Sequence, residues 1–181
     1  MIYNKTVILK NGEECILRNG DANDGAEVLY VFNKTHEETD FLLSYPDESS
    51  FTAEDESAFL KEKTESENSI EMVAVVDGKI VGTAGIEPKG DCFKVKHRAD
   101  FGIAVLKSFC GKGIGRALCS AVLECAKTAG YTQVELEVVG DNKNAILLYE
   151  SLGFKEFGRN PRGFKSRLSG YNELIYMSLE L

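Results

Sequence analysis

The segment Cys110-Gly-Lys-Gly-Ile-Gly-Arg116 is the part of this sequence whose residue types and spacing most directly suggest chemistry. Glycines let successive backbone N–H groups converge, and a helix starting there adds unpaired donors and about half a unit of positive charge. Such a cradle suits an anion of pyrophosphate size, and Lys112 and Arg116 would add charge-assisted contacts. The competing reading is an ordinary glycine-rich turn from strand to helix. A P-loop needs Lys followed by Ser or Thr, whereas Lys112 precedes Gly113. A dinucleotide fingerprint has Gly111 and Gly113 in place and Glu135 or Glu137 downstream as ribose acids. Its third glycine, however, would be Arg116, and Leu106 to Cys110 intervene before the glycines. The five cysteines, Cys15, Cys92, Cys110, Cys119 and Cys125, contain no C-x-x-C pair. They read as small core residues, with no disulfide frame and no metal site indicated.

The elements that must position this loop follow from periodicity. Cys15 to Asn19 reads as a strand, and Asp21 with Asp24 starts a helix over about Ala22 to His36. Thr52 with Asp55 repeats that capping signature for a helix running toward Glu65. Met72 to Val76 and Lys79 to Glu87 flank Asp77-Gly78, a strong hairpin signal, and a third strand follows over about Val95 to Val105. From Gly113 the period lengthens to 3.6, with Ile114, Leu118, Val122, Cys125 and Ala129 on one stripe, until Gly130 closes the helix. Thr132 to Val139 alternates as a strand, placing Glu135 and Glu137 on a solvent-facing side. Asn142 to Leu152 is a short helix, and Asn172 to Leu181 a final strand. Strand, loop, helix and strand make a βαβ unit, so an α/β (α+β) sheet with at least one parallel pair is expected.

The 181 residues predict one domain over 1–181, and 43% hydrophobic with 28% charged residues is globular usage. A net charge of -8 disfavours nucleic acid and anionic membranes as partners. Between Glu37 and Glu71 lie 12 acids against Lys61 and Lys63, either a solvated helix face or a lip attracting a positive substrate. No apolar run approaches the roughly 18 residues of a membrane span, and Met1 to Lys10 lacks a signal-peptide pattern, so a cytoplasmic location is the default.

In order and spacing, FGIAV (Phe101 to Val105), GKGIGRAL (Gly111 to Leu118), VELEVV (Val134 to Val139) and NKNAILLYESLGF (Asn142 to Phe154) resemble the GNAT superfamily of acetyl-CoA-dependent N-acetyltransferases. Residues 14 to 181 fit that family's full layout. The family's loop pattern opens on Arg or Gln, and Cys110 stands there instead, which bears on cofactor affinity more than on fold. The resemblance implies a mixed, mostly antiparallel sheet flanked by helices. In it, the strand ending at Val105 parts from the strand Thr132 to Val139 at the cofactor site. It implies acetyl-CoA as cosubstrate, with its pantetheine arm along Ile103, Ala104 and Val105. Its pyrophosphate would lie on the amides of Gly111, Lys112, Gly113, Gly115 and Arg116, with Asn142 nearby.

Acetyl transfer to an amine needs a neutral amine, a donor for the developing oxyanion, and a proton for the departing thiolate. By resemblance Tyr149 is the acid and the backbone near Val105 the oxyanion donor, although Tyr149 also lies on a helical stripe that faces a core. For the base, Glu87 and Asp100 are the nearest acids, His97 is a further candidate, and a chain of waters is the leading alternative. Strand alternation puts Asp100, Gly102 and Ala104 on one face and Phe101, Ile103 and Val105 on the other. The resemblance places the acceptor, a small-molecule or peptide amine, between an acidic segment (Glu37 to Ser50) and a basic loop (Gly158 to Gly170). Tyr45 and Pro46 read either as a substrate stack or as a loop anchor. A carrier cysteine at Cys110 or Cys119 is disfavoured, so direct ternary-complex transfer is expected. The rival function is a non-catalytic acyl-CoA-binding sensing or regulatory module. A homodimer is an open alternative, with no seam visible in the sequence.

Overall fold

The computed structural model describes residues 1–181. Along the chain run β1 (Asn4–Ile8), β2 (Glu14–Asn19), α1 (Gly25–Glu38), α2 (Ala53–Glu65), β3 (Ile70–Val76), β4 (Lys79–Pro88), β5 (Arg98–Val105), α3 (Ile114–Thr128), β6 (Gln133–Val139), α4 (Lys143–Ser151), β7 (Lys155–Ser166) and β8 (Gly170–Glu180). The strands form one sheet in the order β1-β2-β3-β4-β5-β6-β8-β7. Every neighbouring pair is antiparallel except β5 and β6. This is the expected mixed, mostly antiparallel α/β sheet with helices on both faces.

Local signals explain the frame. Asp21 with Asp24, and Thr52 with Asp55, form reciprocal capping boxes, the first at the short turn of helix leading into α1 and the second at the start of α2. Asp77 at φ 49° and Gly78 at φ 73° make the tight hairpin between β3 and β4. On α3 the predicted stripe is buried through Ile114, Leu118, Val122 and Cys125, packed with Met72, Ala74 and Val81 in the main core. Each such side chain contributes about 1.5–3 kcal/mol relative to exposure. On the opposite face Val28 and Val31 of α1 and Leu60 of α2 meet Val73 and Ile80.

Three features differ from the sequence expectation. β1 pairs with β2 at the sheet edge although its side chains are mostly exposed, so backbone hydrogen bonds rather than an apolar pattern hold it. Gly158 to Ser166, expected as loop, belongs to the twelve-residue strand β7, whose register shifts between Glu156 and Gly158 and between Asn160 and Phe164. As an edge strand it accommodates Pro161, Gly158 and Gly163, the residues that hid it. Val95 to His97 form a turn, and β5 starts at Arg98.

Candidate functional site

The head of α3 is built by Gly111 at φ 80° and Gly113 at φ 101°, a left-handed conformation that side chains other than glycine adopt only under strain. The result is a run of N–H groups from Gly111 to Arg116 that donate to no acceptor within the chain; the first α3 bond is Ala117 N–H to the Gly113 carbonyl at 3.1 Å. The cationic heads nearby are engaged elsewhere. Lys112 Nζ lies 3.2 Å from Glu13 Oε2 and over the Phe109 ring, and Arg116 donates to Ser151 Oγ at 2.7 Å. The donors on offer are therefore backbone groups. Asn142 caps α4, its Oδ1 accepting the Ala145 N–H at 3.3 Å.

Beside that loop the sheet is split. β5 and β6 pair only at Arg98–Asp100 with Gln133–Glu135, and beyond Asp100 and Glu135 they part. Glu135 sits where the strands divide. Contrary to the expected solvent exposure it is 3% exposed, because Arg98 holds it with two bonds, Gln133 donates to it at 2.9 Å and Lys89 lies 3.2 Å away. The Arg98 guanidinium holds this carboxyl below its ordinary range. Past the division, β5 keeps β4 on one side only. Leu106 N–H donates to Val81 of β4 at 2.9 Å, and period-two alternation turns the N–H groups of Val105 and Ile103 into the opening.

Tyr149 of α4 packs its ring edge-on to Phe101 of β5, centroids 6.2 Å apart, and against Phe154 at 5.9 Å. The residue is 7% exposed, yet its hydroxyl has no partner in the chain and is not sealed from solvent. Burial raises its pKa, so the hydroxyl stays protonated across the neutral range. Core packing and a presented hydroxyl coexist in this one side chain. Cys119 lies beneath it in the core with its thiol pushed up to about 12 by burial, and burial likewise raises the exposed-loop thiol of Cys110. Neither is a neutral-pH thiolate.

The other sheet face carries a cavity of about 370 Å³ between α1, the Leu42 segment and strands β3 to β5. Register puts Glu71, Gly85 and Gly102 in one cross-strand row. A side chain at Gly85 would place its Cβ 2.2 Å from Glu71 Oε2, so the carboxylate lies where only glycine leaves room, and Gly102 is open beside it. Burial raises Glu71 to about 7, more than Thr83 and Lys63 offset. Glu71 was absent from the sequence candidates because one acid in the apolar strand IEMVAVV carries no spacing signal. The cross-strand glycines were the available clue.

The two expected acids also line this cavity, but each is held by a lysine: Glu87 by Lys63 at 2.5 Å and Asp100 by Lys89 at 2.5 Å. His97 is exposed in a turn outside it. His36, at the end of the predicted first helix, lines the cavity instead, its ring 3.9 Å from that of Phe32 and its Nδ1 donating to the Phe32 carbonyl at 2.7 Å.

At the rim, the acidic segment and the basic stretch engage each other. Arg167 bonds Asp47 at 2.7 and 2.9 Å and Glu48 at 3.1 Å, and lies 4.2 Å over the Tyr45 ring. Tyr45 Oη accepts the Arg167 N–H and donates to Asp40, which also takes the Ser166 hydroxyl. Tyr45 is thus a loop anchor. Arg159 is paired with Glu156 and Glu173, and Arg162 stacks on Tyr171. The expected rim for steering charged acceptors is largely neutralised within the chain.

Comparisons with known proteins agree with this arrangement. The model of the Acetyltransferase (GNAT) family matches residues 32–154. A solved GNAT-family acetyltransferase of Streptococcus pneumoniae superposes with a TM-score of 0.88 at 27% identity, covering 92% of this chain and 99% of that one. The probable N-acetyltransferase camello of Xenopus tropicalis is 37% identical over 93 residues, 50% of this chain and 41% of that protein. The L-amino acid N-acetyltransferase AaaT of Escherichia coli is 31% identical over 109 residues, 60% of this chain and 66% of its own length. The match thus spans about two-fifths to two-thirds of these curated relatives. No helix is long and apolar enough to cross a membrane.

Proposed function

The chain belongs to the GNAT acetyltransferase family, and from that premise we propose that it moves the acetyl group of acetyl-CoA to a primary amine by direct ternary-complex transfer. The observation that carries this reading is the run of unpartnered N–H groups from Gly111 to Arg116, set beside the opening between β5 and β6. Those donors and the α3 N-terminus fit a pyrophosphate, and the free edge of β5 at Ile103, Ala104 and Val105 fits a strand-like amide arm. Bound there, acetyl-CoA supplies a thioester carbonyl open to attack by nitrogen.

The chain's own groups do the rest. Glu71, at about 7, takes a proton from the incoming ammonium, directly or through water, and passes it to solvent. The neutral nitrogen forms the new C–N bond while the C–S bond breaks. The Val105 or Ile103 N–H stabilises charge on the carbonyl oxygen. The Tyr149 hydroxyl gives its proton to the leaving sulfur and regains one from the nitrogen, so the products are the acetamide, the free thiol and one proton in solvent. Glu87 and Asp100, each tied to a lysine, serve as cavity wall and charge rather than as this base. A non-catalytic acyl-CoA sensor would have no use for a hydroxyl on one face of the sheet and a carboxylate with a raised pKa on the other.

The test follows thiol release from acetyl-CoA across polyamines, aminoglycosides, amino acids and peptides. Tyr149→Phe is expected to slow turnover about 10²-fold with acetyl-CoA binding retained. Cofactor binding without amine-dependent release from any of these classes would overturn the transfer reading and leave the sensor.

A further inference from the structure

A second cavity, of about 360 Å³, lies between α1, the Ser49 to Phe51 segment and α2. It shares Phe32, Glu71 and Thr83 with the first, so the two are adjoining chambers on one sheet face. Its walls are apolar, from Val28, Leu29, Phe51 and Phe59, with one further charged side chain, Glu56. Glu56 is 8% exposed, and its carboxylate has neither hydrogen-bond nor ion-pair partner in the chain. Its oxygens keep access to the cavity, yet a carboxylate this far out of bulk water and without a partner is costly to ionise, and burial raises its pKa.

The nearby charges do not offset it. Lys63 is the one cation acting on this group of acids, and it is bonded to Glu87 at 2.5 Å and lies over the Phe59 ring. Glu56 and Glu71 therefore stand as two carboxylates on the second chamber, Glu71 shared with the first, near enough that the charge of Glu56 adds to the rise of Glu71. A ligand matching that pattern has an alkyl chain and two positive ends. An amino acid would add a third negative group to the site, and a monoamine with an apolar tail would leave Glu56 unpaired.

We propose that the second chamber holds the far end of the acceptor, and that the acceptor is an aliphatic diamine or polyamine: one nitrogen reacts beside Glu71 while the second ammonium sits against Glu56. This rests on the acetyl-transfer reading above and specifies its substrate. The apolar wall carries the methylenes, and Glu56 supplies the charge-assisted hydrogen bond that a one-headed amine does not use.

The experiment compares kcat/KM, by thiol release, for 1,4-diaminobutane, 1,6-diaminohexane and spermidine against n-butylamine, n-hexylamine and free amino acids. Calorimetric binding of acetyl-CoA is measured beside it as a check on folding. The dicationic amines are expected to exceed the monoamines by about tenfold or more, and Glu56→Gln is expected to bring that ratio close to one. Leu29→Trp, which narrows the chamber and leaves both carboxylates in the sequence, is expected to do the same and is read if Glu56→Gln fails to bind acetyl-CoA. Monoamines or amino acids turned over as well as the diamines, or a diamine preference that survives both variants, would overturn the proposal and leave the transfer reading intact. If no amine is turned over while acetyl-CoA binds, transfer fails, and the chamber is judged by calorimetry with 1,6-diaminohexane. Binding lost in Glu56→Gln upholds the chamber, and no binding to the unmutated protein removes it.

Discussion

The rim of the proposed acceptor cleft and its floor are both rich in charge, and they treat it in opposite ways. At the rim, Arg167 pairs with Asp47 and Glu48 while Asp40 takes the hydroxyls of Ser166 and Tyr45, so each of these acids has a partner within the chain. On the floor, Glu71 and Glu56 have no cation of their own in surroundings that penalise ionisation. Exposed pairs such as those of Arg167 contribute about 0–1 kcal/mol each and tie the Asp47–Glu48 segment to the turn after β7. Desolvated carboxylates that lack a paired cation reduce stability, and such groups cluster at sites where a ligand completes them. On the proposed reading, the acceptor is recognised where charge is unmet and not where charge is densest.

The sharpest test of that contrast is Glu71→Gln. It is expected to lower kcat/KM about 10²-fold and to abolish the rise in rate through pH about 7, whereas the unmutated protein gains activity as Glu71 loses its proton. Gly85→Ala is expected to cost about tenfold, because its Cβ would fall 2.2 Å from Glu71 Oε2 and displace the carboxylate. The rim should respond weakly. Arg167→Ala is expected to change kcat/KM by less than about threefold and to lower Tm by only a few degrees. A rim effect as large as the Glu71 effect would break the comparison.

Stability gives a further reading. The Glu71 pKa in the fold, about 7, lies above its ordinary value of 4.5, so the fold is favoured by the protonated form. Its contribution is complete below pH 4.5 and is lost as pH rises through 7. Urea melts between pH 5 and 8 should show the unmutated protein losing stability relative to Glu71→Gln as pH rises. Parallel profiles would mean that Glu71 is not desolvated as the structure has it.

The glycine loop, the hairpin at Asp77-Gly78, both capping boxes and Tyr149 were legible because each is a local pattern with a local cause. β7 was not, since Gly158, Pro161 and Gly163 read as loop until an edge position makes them tolerable. Glu135 and Glu71 were missed for a related reason. Period-two alternation tells which face a strand residue takes, but not whether that face is solvent, an ion cluster or a cavity. The cancellation at the rim depends on contacts between residues some 120 positions apart, such as Arg167 with Asp47. Composition reported the acids and bases correctly and was silent on their meeting.

The split between β5 and β6 also has a mechanical consequence. Only three residue pairs, Arg98–Gln133, Ala99–Val134 and Asp100–Glu135, join β1–β5 to β6–β8 across the sheet, and the Glu135 cluster pins them at one end. The sheet therefore resembles a book bound along a short spine. Its leaves share a core but are free to breathe at the open margin, and amide exchange should be fastest on the two inner edges that face each other there. An ordinary sheet exposes such edges only at its outer limits, where another chain can add to them. Here the pair lies mid-sheet, flanked by strands on both sides.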